Sequence, residues 1–377
     1  MDDLLEAARD DQIFFLSERS REERHVDAKL GVMLEDVKGA QTVADLLDRA
    51  MRIEDDRLAL NEFVAVLEQQ GIPTMFSPME RMTLGLLLKA SKLLPAKFVM
   101  AQIRSKIIRD TDGKVLVADS KEMMRMIVEL LEEGFKLNSV VLGEMVLSAE
   151  DVKKKKDDII RLIRRDETSC ISVKISNLDP HINALDFEGS VERVCVQMRE
   201  IMREAKNKNV LVNLDMEEYR DLGITVEVLK RIAMEDEFLG MQMGIALQAY
   251  IPDSAEVQRD LVEFAKQRVA MGGAPLRTRI VKGANMAMED IHAAKNGFED
   301  PVFQTKVETD ANWKRMVAFG LRPENLAACG LGIASHNMLE LKWVEKMLAE
   351  GKVDSDMVDI EMLNAMMVRC AFPSCTP

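Results

Sequence analysis

LRTRIVKGA, residues 276–284, is the stretch on which the fold is decided. In an extended chain successive side chains point to opposite faces, so Arg277, Arg279 and Val281 share one side while Ile280 and Lys282 share the other. Gly283 then permits close backbone approach, and a helical pattern begins at the following NMAME. Such a run reads as one strand-turn-helix unit whose strand ends in basic residues.

The same unit recurs on both sides. KLNSVVLGE, CISVKIS, NVLVNLD, MGIALQAY, LRTRIVKGA, NLAACGLGIASHN and MVDIEML start at residues 136, 170, 209, 243, 276, 325 and 357, with amphipathic helical text between them. Those starts lie 34, 39, 34, 33, 49 and 32 residues apart, close to the size of one strand plus one crossover helix. Before about residue 135 the pattern is helical, as in TVADLLDRAMRIEDDRLALNEFVAVLEQQ, where apolar residues recur three and four apart. The expected organisation is a helical region or arm over 1–135 and a βα domain over 136–377.

Repeated βα units allow an open doubly wound sheet or a closed barrel. Glu144, Lys174, Asp215, Gln248, Arg279, Lys282 and His336 all fall near the carboxyl ends of different strands, and only a barrel gathers all those ends around one mouth. The expectation is therefore an α/β, TIM-type (βα)8 barrel. Seven strands are legible, and after VDIEMLNAMM the text VRCAFPSCTP holds no further strand and helix. The chain reads as lacking its eighth βα unit.

Composition narrows the function. The 377 residues are 47% hydrophobic, enough for a large packed core, and carry a net charge of −14. That balance argues against nucleic acid as a partner, since phosphate backbones select basic faces. No apolar run approaches bilayer length, and the opening MDDLLEAARDD is acidic where targeting peptides are not. The reading is a cytoplasmic protein. The five cysteines form no CxxC pair and the four histidines are dispersed, so no metal site is expected.

The strand-end residues have bland readings beside functional ones. Lys174 sits among apolar neighbours in SVKIS, where a buried ammonium needs a partner. Asp215 would serve as a helix N-cap, and Arg279 as a structural ion-pair partner for it. Gln248 can satisfy its amide on backbone alone. His336 is flanked by Ser335 and Asn337, either of which can cap the following helix. The basic corner Arg279–Lys282 suits an anionic or electron-rich ligand.

Taken together, LGE at 142–144, SVKIS at 172–176, NLDMEEY at 213–219, LQAY at 247–250, RIVKGA at 279–284, TDANW at 309–313 and ASHN at 334–337 resemble, in order and spacing, the proline dehydrogenase domain of bifunctional proline utilization A proteins. The resemblance covers about residues 95–367. It implies noncovalent FAD, oxidation of L-proline to Δ1-pyrroline-5-carboxylate, a quinone electron acceptor at a membrane touched peripherally, and room for a homo-oligomer. Carried over, Lys174, Asp215 and Arg279 would be catalytic, with Lys174, Glu144 and Asn285 facing substrate. Gln248, Arg279, Lys282, Gly283, Ala284, Ser335 and His336 would hold the cofactor.

Three departures stand out. Asn285 replaces a common tyrosine after KGA, Trp313 stands where tyrosine is common, and no Tyr-x-x-Arg-Arg follows Met367. Losing two charge-assisted contacts to a substrate carboxylate would cost several kcal/mol, at roughly 1.5–3 each. A noncatalytic chain that binds flavin or partner chains is therefore the second expectation, and an unrelated barrel enzyme with a phosphate ligand the third.

Overall fold

A computed structural model describes residues 2–18, 39, 42, 45–50, 53, 55–73, 76, 78–90, 95–110, 121–141, 146–351 and 355–362. The expectations for Glu144 and for the text after residue 362 lie outside these described residues. The chain divides into two compact units, residues 12–128 and residues 1–11 with 129–377.

The described elements before the sheet are helices α1 (Asp2–Glu18), α2 (Asp56–Gln70), α3 (Pro78–Ala90), α4 (Ala96–Asp110) and α5 (Lys121–Glu132), with a short π-helical turn at Leu46–Ala50. In α2 the Asp55 carboxylate accepts the amides of Arg57 and Leu58, and Gly71 closes the helix with a positive φ of 87°, a conformation a Cβ disfavours. Its buried stripe Ala59, Leu60, Phe63, Val66 and Leu67 packs with Leu84, Val99, Met100 and Ile103, which gives the smaller unit its own core.

The larger unit is a single parallel sheet in sequence order. Its strands are β1 (Asn138–Val140), β2 (Cys170–Lys174), β3 (Leu211–Asp215), β4 (Met243–Gln248), β5 (Leu276–Val281), β6 (Cys329–Ala334) and β7 (Val358–Glu361). Between them run α6 (Ala149–Ile163), α7 (Phe187–Lys208), α8 (Leu222–Met234), α9 (Ser254–Ala270), α10 (Met286–Asn296), α11 (Lys306–Gly320), α12 (Pro323–Leu326) and α13 (Met338–Gly351). Local chemistry sets several boundaries. The Ser148 hydroxyl accepts the Asp151 amide to start α6. Asn209 in the left-handed region ends α7, and a reciprocal Thr305–Glu308 capping box starts α11.

One set of strand side chains is apolar and lies under the helices. Ile171, Val173, Val212, Leu214, Ile245, Leu247, Ile280, Leu331 and Ile333 are buried in one cluster with Val191, Val194, Met198 and Ile201 of α7 and Val228 of α8. Each such side chain contributes roughly 1.5–3 kcal/mol by leaving water. The alternate set is small or polar and faces the other way: Ser172, Lys174, Asn213, Asp215, Gly244, Ala246, Gln248, Arg277, Arg279, Gly330, Gly332, Asp359 and Glu361.

Contacts across that second face show that the sheet curls on itself. Arg279 of β5 reaches Ser172 of β2 at 3.2 Å and Asp215 of β3 at 2.9 Å. Lys136, just before β1, lies 3.3 Å from Asp359 of β7, so the first and last described strands approach each other. Seven strands are present among the described residues, arranged as the barrel that the convergent strand ends predicted.

The amino-terminal end of the barrel is held by Arg268, whose residue exposure is 0%. Its guanidinium donates to the carbonyls of Ala233, Phe238, Leu239 and Met241 at 2.8–3.0 Å, and also to that of Ala274. These carbonyls come from the end of α8 and from the turns that lead into β4 and β5, so one side chain ties all three together.

Candidate active site

The site grows from the register of neighbouring strands. Lys174 stands opposite Asp215, and Arg279 stands opposite Ala246 on one side and Gly332 on the other. Small residues on β4 and β6 leave the space that the arginine fills. A Cβ on Gly332 would collide with the Glu361 carboxylate and meet Arg279 at 3.4 Å.

Arg279 has a side chain only 11% exposed and lies between two acids. Its Nη1 donates to Asp215 Oδ1 at 2.9 Å and to Ser172 Oγ at 3.2 Å, while its Nε lies 2.7 Å from Glu361 Oε2, at ion-pair distance without hydrogen-bond alignment. Asp215 also accepts from Asn213 Nδ2 at 3.1 Å. It is not an N-cap, since α8 begins after Asp221. One layer nearer the amino-terminal end, Arg277 pairs with Asp359. Burial raises the Glu361 carboxyl above its ordinary value, against the pull of Arg279, and pushes the nearby Cys170 thiol up to about 12.

Lys174 Nζ lies 2.5 Å from Glu217 Oε1, and Ser176 donates to the other oxygen of that carboxylate. The loop carrying Glu217 is held in turn: Gln248 Nε2 donates to the carbonyls of Met216 and Glu217 at 3.2 and 3.3 Å, and Asn285 Nδ2 to that of Glu217 at 3.2 Å. Lys174, Gln248 and Asn285 thus meet on the loop that follows Asp215, while Arg279 is held by Asp215 itself at the start of that loop.

Lys282 takes a different direction. Its ammonium lies 2.6 Å from Asp310 of α11 and 2.7 Å from Glu340 of α13, and 5.8 Å from the centre of the Trp313 ring. Burial works to lower its pKa, but the hydrogen bonds it donates to the two acids outweigh this and the group is held above its ordinary value. Ser335 belongs to the same cluster, donating to Glu340 at 2.8 Å and accepting the Asn337 amide at 3.1 Å. His336 is exposed beside it. Gly283 has φ 116°, a value L residues rarely adopt, and a Cβ there would strike the Tyr250 ring. Gly283 and Ala284 leave an exposed turn.

Glu361, Glu217, Asp359 and Glu340 were missed by sequence reasoning. The available signal was parity: Asp359 and Glu361 alternate with Val358 and Ile360, so both acids must share the face that carries Arg277 and Arg279.

The residues fit a flavin in two respects. Gln248 is 5% exposed and its Oε1 is buried with no hydrogen-bond partner, an acceptor that an N–H of a ring ligand would satisfy. The exposed Gly283–Ala284 turn at the end of β5 allows a ligand close to the backbone. Among the described residues no helix is long and apolar enough to cross a membrane.

Comparison with known proteins bears on the family and the fold. A family model described as Proline dehydrogenase matches residues 123–374. Bifunctional protein PutA of Klebsiella aerogenes is 28% identical over 200 residues, which cover 49% of this chain and 15% of that protein. Proline dehydrogenase 2 of Bacillus subtilis is 22% identical over 259 residues, covering 67% of this chain and 74% of that one. The crystal structure of proline utilization A from Bdellovibrio bacteriovorus, inactivated by N-propargylglycine, superposes with a TM-score of 0.75 at 23% identity, over 96% of this chain and 37% of that one, and shares the fold. The chain therefore spans a small part of the bifunctional relatives it matches. By the match over residues 123–374, this chain belongs to the proline dehydrogenase family.

Proposed function

We propose that this chain is an FAD-dependent proline dehydrogenase that oxidises L-proline to Δ1-pyrroline-5-carboxylate and passes the electrons to a quinone, acting from the cytoplasm with peripheral membrane contact. Residues 1–135 would form the helical arm and 136–377 the catalytic barrel. The observation that carries this reading is the convergence of Lys174, Asp215, Gln248 and Arg279 at the carboxyl ends of β2–β5, in two hydrogen-bonded sets that meet in the segment 215–217, in a chain of this family.

When bound, FAD would supply the hydride acceptor. Arg279 would lie at the N5 edge, where a preorganised guanidinium favours the negative charge that develops on reduction. Asp215 fixes the guanidinium by its 2.9 Å hydrogen bond. Gln248 would direct its spare oxygen to the ring, Gly283 and Ala284 would give backbone access, and Lys282, Ser335 and His336 would serve the distal part of the cofactor. Lys174 would receive the substrate carboxylate, which requires Glu217 to release it. Asn285 and Glu144 would complete the substrate wall.

One observation favours the noncatalytic alternative: Lys174, Arg277 and Arg279 are each already paired with an acid of the chain. Titration of the purified chain with FAD, followed by proline-dependent reduction of a soluble quinone, separates the readings. Saturable turnover is expected; flavin binding without turnover supports the alternative, and absence of both overturns the proposal.

A further inference from the structure

Glu361 is the acid that the flavin reading does not use, and it is built into the centre of the barrel. It lies on the last described strand, faces inward with Asp359, and sits 2.7 Å from Arg279 Nε, on the side of the guanidinium away from Asp215. Gly332 on the neighbouring strand makes room for it, because any Cβ there would occupy the position of its carboxylate.

A guanidinium flanked by one carboxylate keeps much of its field; one flanked by two is overcompensated. The groups around Glu361 can be named strand by strand: Cys170 on β2, Asp215 on β3, Arg277 and Arg279 on β5, and Asp359 on β7, with Lys136 on Asp359. Arg277 is taken by Asp359, so Glu361 acts chiefly on Arg279.

We propose that Glu361 is a positioning residue for the redox reaction: it holds Arg279 from the β7 side and its charge weakens the field of that guanidinium at the bound flavin, lowering the flavin's reduction potential. The proposal rests on the FAD reading above. Burial, by raising the Glu361 carboxyl, gives the potential an added dependence on pH. When Glu361 takes up its proton only Asp215 opposes the guanidinium, and when it is ionised both acids do.

The test is the midpoint potential of FAD bound to the full chain, measured against reference dyes for wild type, Glu361→Gln and Glu361→Asp. The glutamine keeps shape and removes charge, so its flavin should be easier to reduce by about tenfold in the two-electron equilibrium, or about 30 mV. The aspartate keeps the charge and should stay near wild type. A glutamine variant that matches wild type overturns the proposal, and so does an aspartate variant that shifts as far as glutamine, since shape would then be the cause. If E361Q does not fold, Glu361→Ala, which also removes the charge, is measured in its place: an easier reduction of the flavin supports the proposal and a wild-type potential overturns it. A chain that binds no FAD overturns the functional reading itself, which distinguishes that failure from a flavoprotein whose potential ignores Glu361.

Discussion

Arg268 and Arg279 are both withdrawn from water in the same barrel, yet their partners are of different kinds. Arg268, at the amino-terminal end, gives its hydrogen bonds to five backbone carbonyls. Arg279, at the centre, is held by Asp215, Glu361 and Ser172, which come from three other strands. Backbone carbonyls carry no charge and do not titrate, so Arg268 reads as a structural staple. Carboxylates are charged and titrate, so Arg279 keeps a charge environment that a ligand or proton can alter. Burial says that an arginine matters; the chemistry of its partners says for what.

The contrast is tested first at Arg268. Arg268→Met deletes every one of those bonds and strands buried carbonyls, each a loss of about 1–3 kcal/mol though not additive. The expected cost exceeds about 5 kcal/mol in urea unfolding, so that the variant is recovered mostly unfolded. A loss under about 2 kcal/mol would mean that the staple is dispensable.

Arg279→Met should cost about 3–5 kcal/mol, because two acids are left without their cation. Here the difference in partners gives a sharper outcome: adding Glu361→Gln should restore part of the loss. Strict additivity in the double-mutant cycle would deny the coupling between Glu361 and Arg279.

Lys282→Met should cost less, about 2 kcal/mol, since Asp310 keeps Lys306 and Glu340 keeps Ser335. The same urea titration measures it. A loss as large as that at Arg279 would erase the distinction between the inner network and the outer cluster.

The smallest effects are in pH dependence, and they have opposite signs. Glu361 is raised by burial, so the folded state binds its proton more tightly and stability is lost as pH rises above the ordinary glutamate value of about 4.3. Glu361→Gln should remove that decline. For Asp310, burial pushes upward but the hydrogen bonds from Lys282 and Lys306 prevail and hold it low. Its contribution is present above about 3.9 and lost as pH falls through the depressed folded value. Asp310→Asn should flatten the acid limb. Stability curves from pH 3 to 7 that change in the same sense in both variants would contradict these assignments.

Much of the fold was legible because the βα repeat is written in periodicity: seven β-rich runs at nearly even spacing became seven parallel strands in the same order. The inward direction of Arg279 followed from strand parity, and the pair it makes with Asp215 was among the expected alternatives. Glu361 and Glu217 were not singled out, because an acid in a short strand or after one looks like a solvated turn until the curl of the sheet brings a cation to it. Lys282 shows the same limit. Strand alternation places it on the face opposite Arg279, but not the acids that meet it there, Asp310 of α11 and Glu340 of α13. Arg268 was hidden in an amphipathic helix beside Lys266, and only the two loops that close around it reveal its role.

The most direct measurement is the visible spectrum of the purified, FAD-loaded chain under anaerobic conditions before and after L-proline, with Arg279→Met alongside. The expected result is a yellow protein whose flavin band is bleached by L-proline, at a rate reduced at least a hundredfold in the variant. A colourless chain, or a yellow one that L-proline leaves oxidised, would contradict the proposed proline dehydrogenase activity. Bleaching that is equally fast without the guanidinium would contradict the place given to Arg279.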